Sequence, residues 1–229
     1  MQYKVTVLVA IYKAAKFLNV HLESLLQQSI FYDIDIVLLN CQNLENESRI
    51  YSNYVKSHNN FTVINYDYYV KLYQSWNDGI KATNNKYITN YNCDDVWAPD
   101  YLEKCSRYLD NDQNTAIVSS QIKITDLPNQ IWPSSTNIIG QMSMGYPGST
   151  MGPCPMWRRE LHNKYGYFEN YSVIGDALFW EKLHAGNEKF SIIDEDLVLY
   201  FASPNSLERR LNDKGESLLS IDLKEKYQS

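Results

Sequence analysis

Along the first half of this chain, aliphatic runs alternate with stretches of helical spacing, and this alternation restricts the fold more than any other feature of the 229 residues. Val5 to Ile11 reads V-T-V-L-V-A-I, the kind of unbroken run found in strands buried on both faces. Ala14 to Gln28 then carries an apolar stripe of Phe17, Leu18, His21, Leu22, Leu25 and Leu26, which predicts a helix. Further strands are predicted at Ile34 to Leu39, Phe61 to Ile64, Tyr87 to Tyr91 and Ala116 to Ile124. Helices are predicted at Asn46 to Lys56, at Leu72 to Lys81 and from Pro99 onward. Repeated β-α units of this length imply an α/β fold, a mainly parallel sheet covered by helices on both sides.

Between Asp126 and Gly152 the pattern gives way to Pro, Ser, Asn, Gly and Met, as expected of a functional loop or lid. Helical patterns return at Trp157 to Tyr165 and Gly175 to Ala185, strand patterns at Phe190 to Ile193 and Leu197 to Phe201, and a polar helical tail follows. The expected organisation is one domain over residues 1–229, in which 1–125 form one half, 126–210 a second and 211–229 the tail.

Several function classes are disfavoured. A formal net charge of −6 with no basic patch argues against nucleic-acid binding. The longest apolar runs fall well short of the roughly 20 residues of a membrane span. Cys41, Cys93, Cys105 and Cys154 are scattered without metal-like spacing, so reduced thiols in a cytoplasmic protein are expected. The first β-α turn, I-Y-K-A-A-K-F, has no glycine for a dinucleotide's pyrophosphate, and no P-loop motif occurs.

In open α/β sheets ligands bind beyond the carboxyl ends of the strands. Here those ends are Ala10-Ile11-Tyr12, Asn40-Cys41, Tyr66-Asp67 and Asn92-Cys93-Asp94-Asp95. Adjacent carboxylates at such an edge tolerate a phosphorylated ligand only with a cation between them, and Mg²⁺ or Mn²⁺ on one or two carboxylates plus phosphate oxygens is the usual arrangement. The alternative is a solvated turn ahead of the Pro99 helix.

Three blocks make the case more specific: V-T-V-L-V-A-I-Y-K, W-N-D-G-I-K-A-T-N-N-K-Y-I-T-N-Y-N-C-D-D-V-W-A-P-D-Y-L-E-K, and M-G-P-C-P-M-W-R-R-E-L-H-N-K-Y-G-Y-F followed by G-D-A-L-F-W. In this order they resemble family 2 glycosyltransferases with the GT-A fold, over nearly all of positions 4 to 210. The resemblance implies an inverting transferase using a UDP-, GDP- or dTDP-linked sugar, a divalent metal, and a glycan or polysaccharide acceptor. It matches Asp94 to the metal-binding acid and Asp95 to the neighbouring carboxylate that orients the sugar. Asp176 falls on the general base, a position that also suits a plain helix N-cap. Ala10, Ile11, Tyr12, Asn40, Asn77, Asn92 and Cys93 fall with Asp94 on the nucleotide-sugar side, and Trp97, Met156 and Trp157 on the sugar or acceptor side. Trp157 either stacks on a sugar or fills the core; Arg158 and Arg159 either meet phosphate or begin a solvated helix.

Two departures qualify this. Asn40 stands where relatives usually carry an Asp for the base, with Cys41 and Gln42 after it, and no His matches a third metal ligand. An active transferase and a retired GT-A domain that binds nucleotide-sugar or glycan both stay open, as does self-association. Cys41 and Cys93, read as leaving neighbouring strands, are expected to lie close together.

Overall fold

The protein is described from a computed structural model covering residues 3–133, 137–142 and 151–228. The βα alternation appears in order: β1 (Val5–Ile11), α1 (Ala15–Leu26), β2 (Ile34–Cys41), α2 (Glu47–Ser57), β3 (Phe61–Tyr66), α3 (Leu72–Lys81) and β4 (Tyr87–Asn90). These four strands are parallel, in the sheet order β3-β2-β1-β4. A two-residue β5 (Val96–Trp97), α4 (Tyr101–Asn111), β6 (Thr115–Thr125) and β7 (Ile138–Met142) follow. The chain then runs through β8 (Met156–Arg158), α5 (Leu161–Tyr165), α6 (Gly175–Ala185), β9 (Lys189–Phe201) and α7 (Leu218–Gln228).

Beyond β4 the sheet is mixed. β8 lies antiparallel between β4 and β6, β9 runs parallel to β6, β5 is antiparallel to β9, and β7 is antiparallel to β6. The parallel expectation therefore holds for the first half, while short antiparallel strands complete the second. Trp157, expected at a helix start, is on β8, and the helix begins only at Leu161. A continuous apolar run fits a buried strand as well as a helix, and open ladder positions on both sides decide for the strand. The two strands expected between Phe190 and Phe201 are one long strand with register shifts opposite Ser120 and Gln121. Part of the expected loop or lid between Asp126 and Gly152 is β7; residues 134–136 and 143–150 lie outside the described residues.

The strands are continuous apolar runs because both faces are covered. Val5, Val7, Val9, Ile34, Ile36 and Leu38 join one core with α1, while Leu8, Val37 and Leu39 join the other with Trp76, Ile80, Phe179 and Trp180. Gly79 of α3 allows the close approach: a Cβ there would come within 2.6 Å of Leu8 Cδ2.

The sheet must also curl. Only residues 91–95 join β4 to β5, although β8, β6 and β9 intervene in the sheet order. In a flat sheet those four spacings of about 4.8 Å would need the loop almost fully extended. Instead it turns on itself, with Asp95 N–H donating to Asn92 O at 3.2 Å. The curl brings the acidic loop onto β9.

β8 is fixed by Arg158, which is buried and donates to Thr115 O (2.8 Å), Leu109 O (2.6 Å) and Asp112 O (3.1 Å), closing the C-terminal end of α4. Neither role expected of it, phosphate contact or solvated helix start, applies. Replacing it by Met strands those carbonyls, and Arg158→Met is expected to lower the unfolding free energy by about 3 kcal/mol, measured by urea denaturation.

Candidate active site

The acidic loop is clasped at both ends. Tyr91 stacks on Trp97 with ring centroids 3.6 Å apart and 8° between planes, and its hydroxyl receives the Trp97 N–H at 3.0 Å. Asn90 Nδ2 donates to Pro153 O at 2.6 Å, tying the loop to the G-P-C-P segment ahead of β8. The Tyr101 hydroxyl holds the next carbonyl, that of Cys154.

Within this clasp the paired acids differ. Asp95 is 3 % exposed; its Oδ1 accepts the Phe201 N–H of β9 at 3.0 Å, and its Oδ2 accepts Asn92 Nδ2 at 3.0 Å. This carboxylate is spent on holding the loop to β9, which corrects the expected sugar-orienting role. Asn92 shares that structural duty through Asp95 and, at 3.5 Å, Pro153 O. Asp94 is only half-buried, and no other side chain among the described residues hydrogen-bonds to it; Arg210 and Lys16 are the cations it senses.

Both acids are harder to ionise than usual. Burial pushes Asp94 up, and burial followed by the Asp94 charge pushes Asp95 well up. His21 lines the same small hollow, and burial depresses its pKa to about 3, so it is neutral, and the charges that lower the Asp94 pKa are those of Arg210 and Lys16. The Asp94 oxygens, without a side-chain hydrogen-bond partner among the described residues, are hard donors of the kind that suit a divalent cation. No group of three or more His, Cys, Asp or Glu suited to a metal occurs among the described residues. The chain would thus contribute Asp94, leaving other positions to phosphate oxygens and water.

Asp176 stands in the first turn of α6. Its Oδ1 accepts the Tyr73 hydroxyl at 2.8 Å and the Ala177 N–H at 2.7 Å, and Tyr73 Oη also lies 2.6 Å from Val173 O. Burial raises the Asp176 pKa above the usual carboxylate range, and the Tyr73 hydrogen bond opposes this. A carboxylate so raised is a stronger base than a solvated one. The 3₁₀ turn Leu207–Arg209 carries Glu208, whose negative charge adds to the upward push on Asp176.

The carboxyl ends of β1 to β3 form an aromatic edge. Half-buried Tyr12 meets Tyr69 edge-to-face at 5.4 Å, with Ala10 and buried Ile11 before it. Asn40 is level with Ile11, donates to Tyr51 Oη (3.0 Å) and Asn65 Oδ1 (2.9 Å), and has a buried Oδ1 with no protein partner. Cys41 and Cys93 are not adjacent, because β1 runs between β2 and β4. Cys93 Sγ donates to Ala10 O at 3.5 Å, whereas Cys41 Sγ accepts the Val70 N–H at 3.2 Å.

Several expected ligand contacts are core instead. Trp97 is sandwiched by Tyr91 and Tyr101. Met156 and Trp157 are fully enclosed on opposite faces of β8, and Trp157 Nε1 donates to His162 Nε2 at 2.9 Å. None of the three offers a face to a sugar. The Asn77 amide is taken by Phe168, donating to its carbonyl at 2.8 Å and accepting its N–H at 3.0 Å, which secures the approach to α6 rather than a nucleotide. Arg159 Nε donates to Thr83 O at 2.8 Å, away from any phosphate role. Tyr73, Tyr69 and Arg210 were not singled out by sequence. Tyr73 lies one turn before Asn77 on the expected helix, but in a chain with 19 tyrosines nothing local marks it.

Comparison with known proteins decides the family. The profile of glycosyl transferase family 2 matches residues 6–176, well over half of the chain. The chain belongs to glycosyl transferase family 2. An uncharacterized glycosyltransferase of Methanocaldococcus jannaschii is 24 % identical over 202 residues, covering 86 % of this chain and 70 % of that one. Among solved structures, S. aureus TarS in complex with UDP-GlcNAc superposes with a TM-score of 0.74 at 16 % identity, covering 91 % of this chain and 62 % of TarS residues 1-349. The mannosyltransferase PcManGT of Pyrobaculum calidifontis, in complex with GDP-Man and Mn²⁺, gives 0.71 at 13 % identity, covering 91 % and 59 %. This family 2 chain thus has the GT-A fold and spans about three-fifths of those solved structures. No helix among its described residues is long and apolar enough to cross a membrane.

Two outcomes are expected from the raised acids. Because the folded-state pKa values of Asp94 and Asp95 lie above their unfolded values, these two groups contribute stability that is lost as pH rises past about 4, against the opposite contribution of His21, whose pKa burial depresses. Asp94→Asn removes part of that penalty, so the metal-free variant should melt a few degrees higher at pH 8, at about 2–4 °C per kcal/mol, as read by calorimetry. Tyr73→Phe removes a hydrogen bond that favours ionised Asp176, so its pKa rises further. The acid limb of the pH–rate profile should therefore move to higher pH, measured on donor turnover.

Proposed function

We propose that the protein transfers a sugar from a nucleotide-diphosphate donor to a hydroxyl of a glycan or polysaccharide acceptor, with inversion. The observation that carries this is Asp176, a carboxylate made more basic by burial and held by Tyr73 in the first turn of α6. In this reading Asp176 removes the acceptor hydroxyl's proton as that oxygen attacks the anomeric carbon from the side opposite the departing diphosphate. Asp94 would hold a divalent cation, Mn²⁺ or Mg²⁺, which would supply charge neutralisation for the leaving diphosphate. Asp95 keeps Asp94 in place from behind, and Arg210 and Lys16 add positive charge nearby.

The nucleotide lies along the carboxyl edge of β1 and β2, with Tyr12 and Tyr69 against the base. Asn40 supports the edge where these rings meet, donating to Tyr51 and Asn65 with its Oδ1 buried. Residues 1–125 thus form the donor half and 126–210 the acceptor half. TarS with UDP-GlcNAc and PcManGT with GDP-Man and Mn²⁺ support a sugar nucleotide and a cation as ligands. Four buried free thiols suit the cytoplasm.

The decisive experiment titrates UDP-, GDP- and dTDP-linked sugars with and without Mn²⁺ and follows both binding and nucleotide release. Asp176→Asn should keep donor affinity while turnover falls about 10²- to 10⁴-fold, the worth of a positioned base. Normal turnover in that variant would remove Asp176 from the role. Binding without turnover in the unaltered protein would favour the retired, ligand-binding module.

A further inference from the structure

The tail helix α7 docks in an uncommon way: among its described residues the only buried side chain is a carboxylate, Asp222, at 1 % exposure. Its oxygens are engaged by three successive backbone N–H groups. Ser172 donates to Oδ1 at 3.1 Å and Oδ2 at 2.9 Å, Val173 to Oδ2 at 2.5 Å, and Ile174 to Oδ2 at 3.3 Å. A carboxylate stripped of water is tolerated where N–H donors converge on it.

Those donors form the turn that enters α6. Its N-cap residue is Ile174, which has no side-chain acceptor, and the Ala177 N–H of the first turn is taken by Asp176 itself. Asp222, from another helix, takes the N–H groups of the turn that leads in, ending at Ile174, two residues ahead of Asp176. The Val173 carbonyl in the same turn receives the Tyr73 hydroxyl that also bonds Asp176. Moving the turn therefore moves Asp176 and its partner together.

α7 is fastened on both sides of this contact. Lys226 Nζ reaches Glu181 of α6 at 2.9 Å, and Leu218 N–H donates to Arg210 O at 3.1 Å beyond the Glu208 turn. The helix thus joins the segment before Asp176 to the segment that carries Arg210.

We infer that Asp222 is a positioning residue for the transfer reaction: it holds the 172–174 turn, and through it Asp176 and Tyr73, in the orientation proton abstraction requires. This rests on the reading of Asp176 as the base. Asp222→Asn tests it, since the amide nearly keeps the shape but turns N–H₂ toward N–H donors. The probe is the UDP-, GDP- or dTDP-linked sugar that binds, and turnover to water is read as nucleotide release. A misplaced base should lower kcat about 10- to 100-fold. KM and the calorimetric Kd for donor should stay within about twofold, because uniform binding is untouched.

Amide exchange at residues 172–177 should quicken about 10-fold while β1 is unchanged. Lys224→Gln, an exposed change on the same helix, should leave kcat within about twofold. Unchanged kcat in Asp222→Asn overturns the inference, as does an equal loss of donor affinity. If the unaltered chain turns over no donor, the base reading fails and the catalytic part of this inference fails with it. The exchange measurement needs no substrate and separately decides whether Asp222 holds the turn.

Discussion

The hydrogen bond from the Phe201 N–H to the buried Asp95 carboxylate is the contact on which the acidic edge depends. It joins the loop after β4 to the end of β9, and it answers the curl that a five-residue link between distant strands demands. Its cost is a carboxylate taken out of water beside another. A buried acid with a charged neighbour destabilises the empty protein, and a bound cation would offset that penalty.

At the other acidic position, Asp176 is raised first by burial, with a further push from the Glu208 charge, and is steadied by a phenol and the first turn of its helix. Burial is also the first cause at Asp94, so the two acids differ in their neighbours rather than in what raises them. Around them much of the chemistry-like sequence is structural. Asn77 and Arg158 satisfy backbone groups, and Trp157 pairs with a histidine whose pKa burial lowers to about 4.

The parallel half was legible because its strands, buried on both faces, read as continuous apolar runs, and α3 begins and ends where its spacing places it. The antiparallel half was less so. Three residues of β8 carry no periodicity of their own, and the pairing of β5 with β9 depends on a contact over a hundred residues long. At the site, motif position singled out Asp94 and Asp176 as candidates. It did not separate groups facing the cleft from groups facing the core: Asp95, Met156 and Trp157 adjoin the candidate site in sequence, yet local pattern does not reveal which way a side chain points. Tyr73 and Asp222 act through bonds to segments far along the chain, and no local signal encodes those.

β8 is the seam of the sheet, since its three residues pair β4 on one side and β6 on the other. During synthesis the four parallel strands emerge long before residue 156, so until then β4 presents a bare edge, a template for unwanted pairing. Only when the seam strand arrives can the Pro153 carbonyl meet Asn90, and only after β9 can Phe201 meet Asp95. The first half therefore waits, unfinished, for the last third of the polypeptide, and a chain cut short on the ribosome would carry a Rossmann-like half whose acidic loop has not met β9.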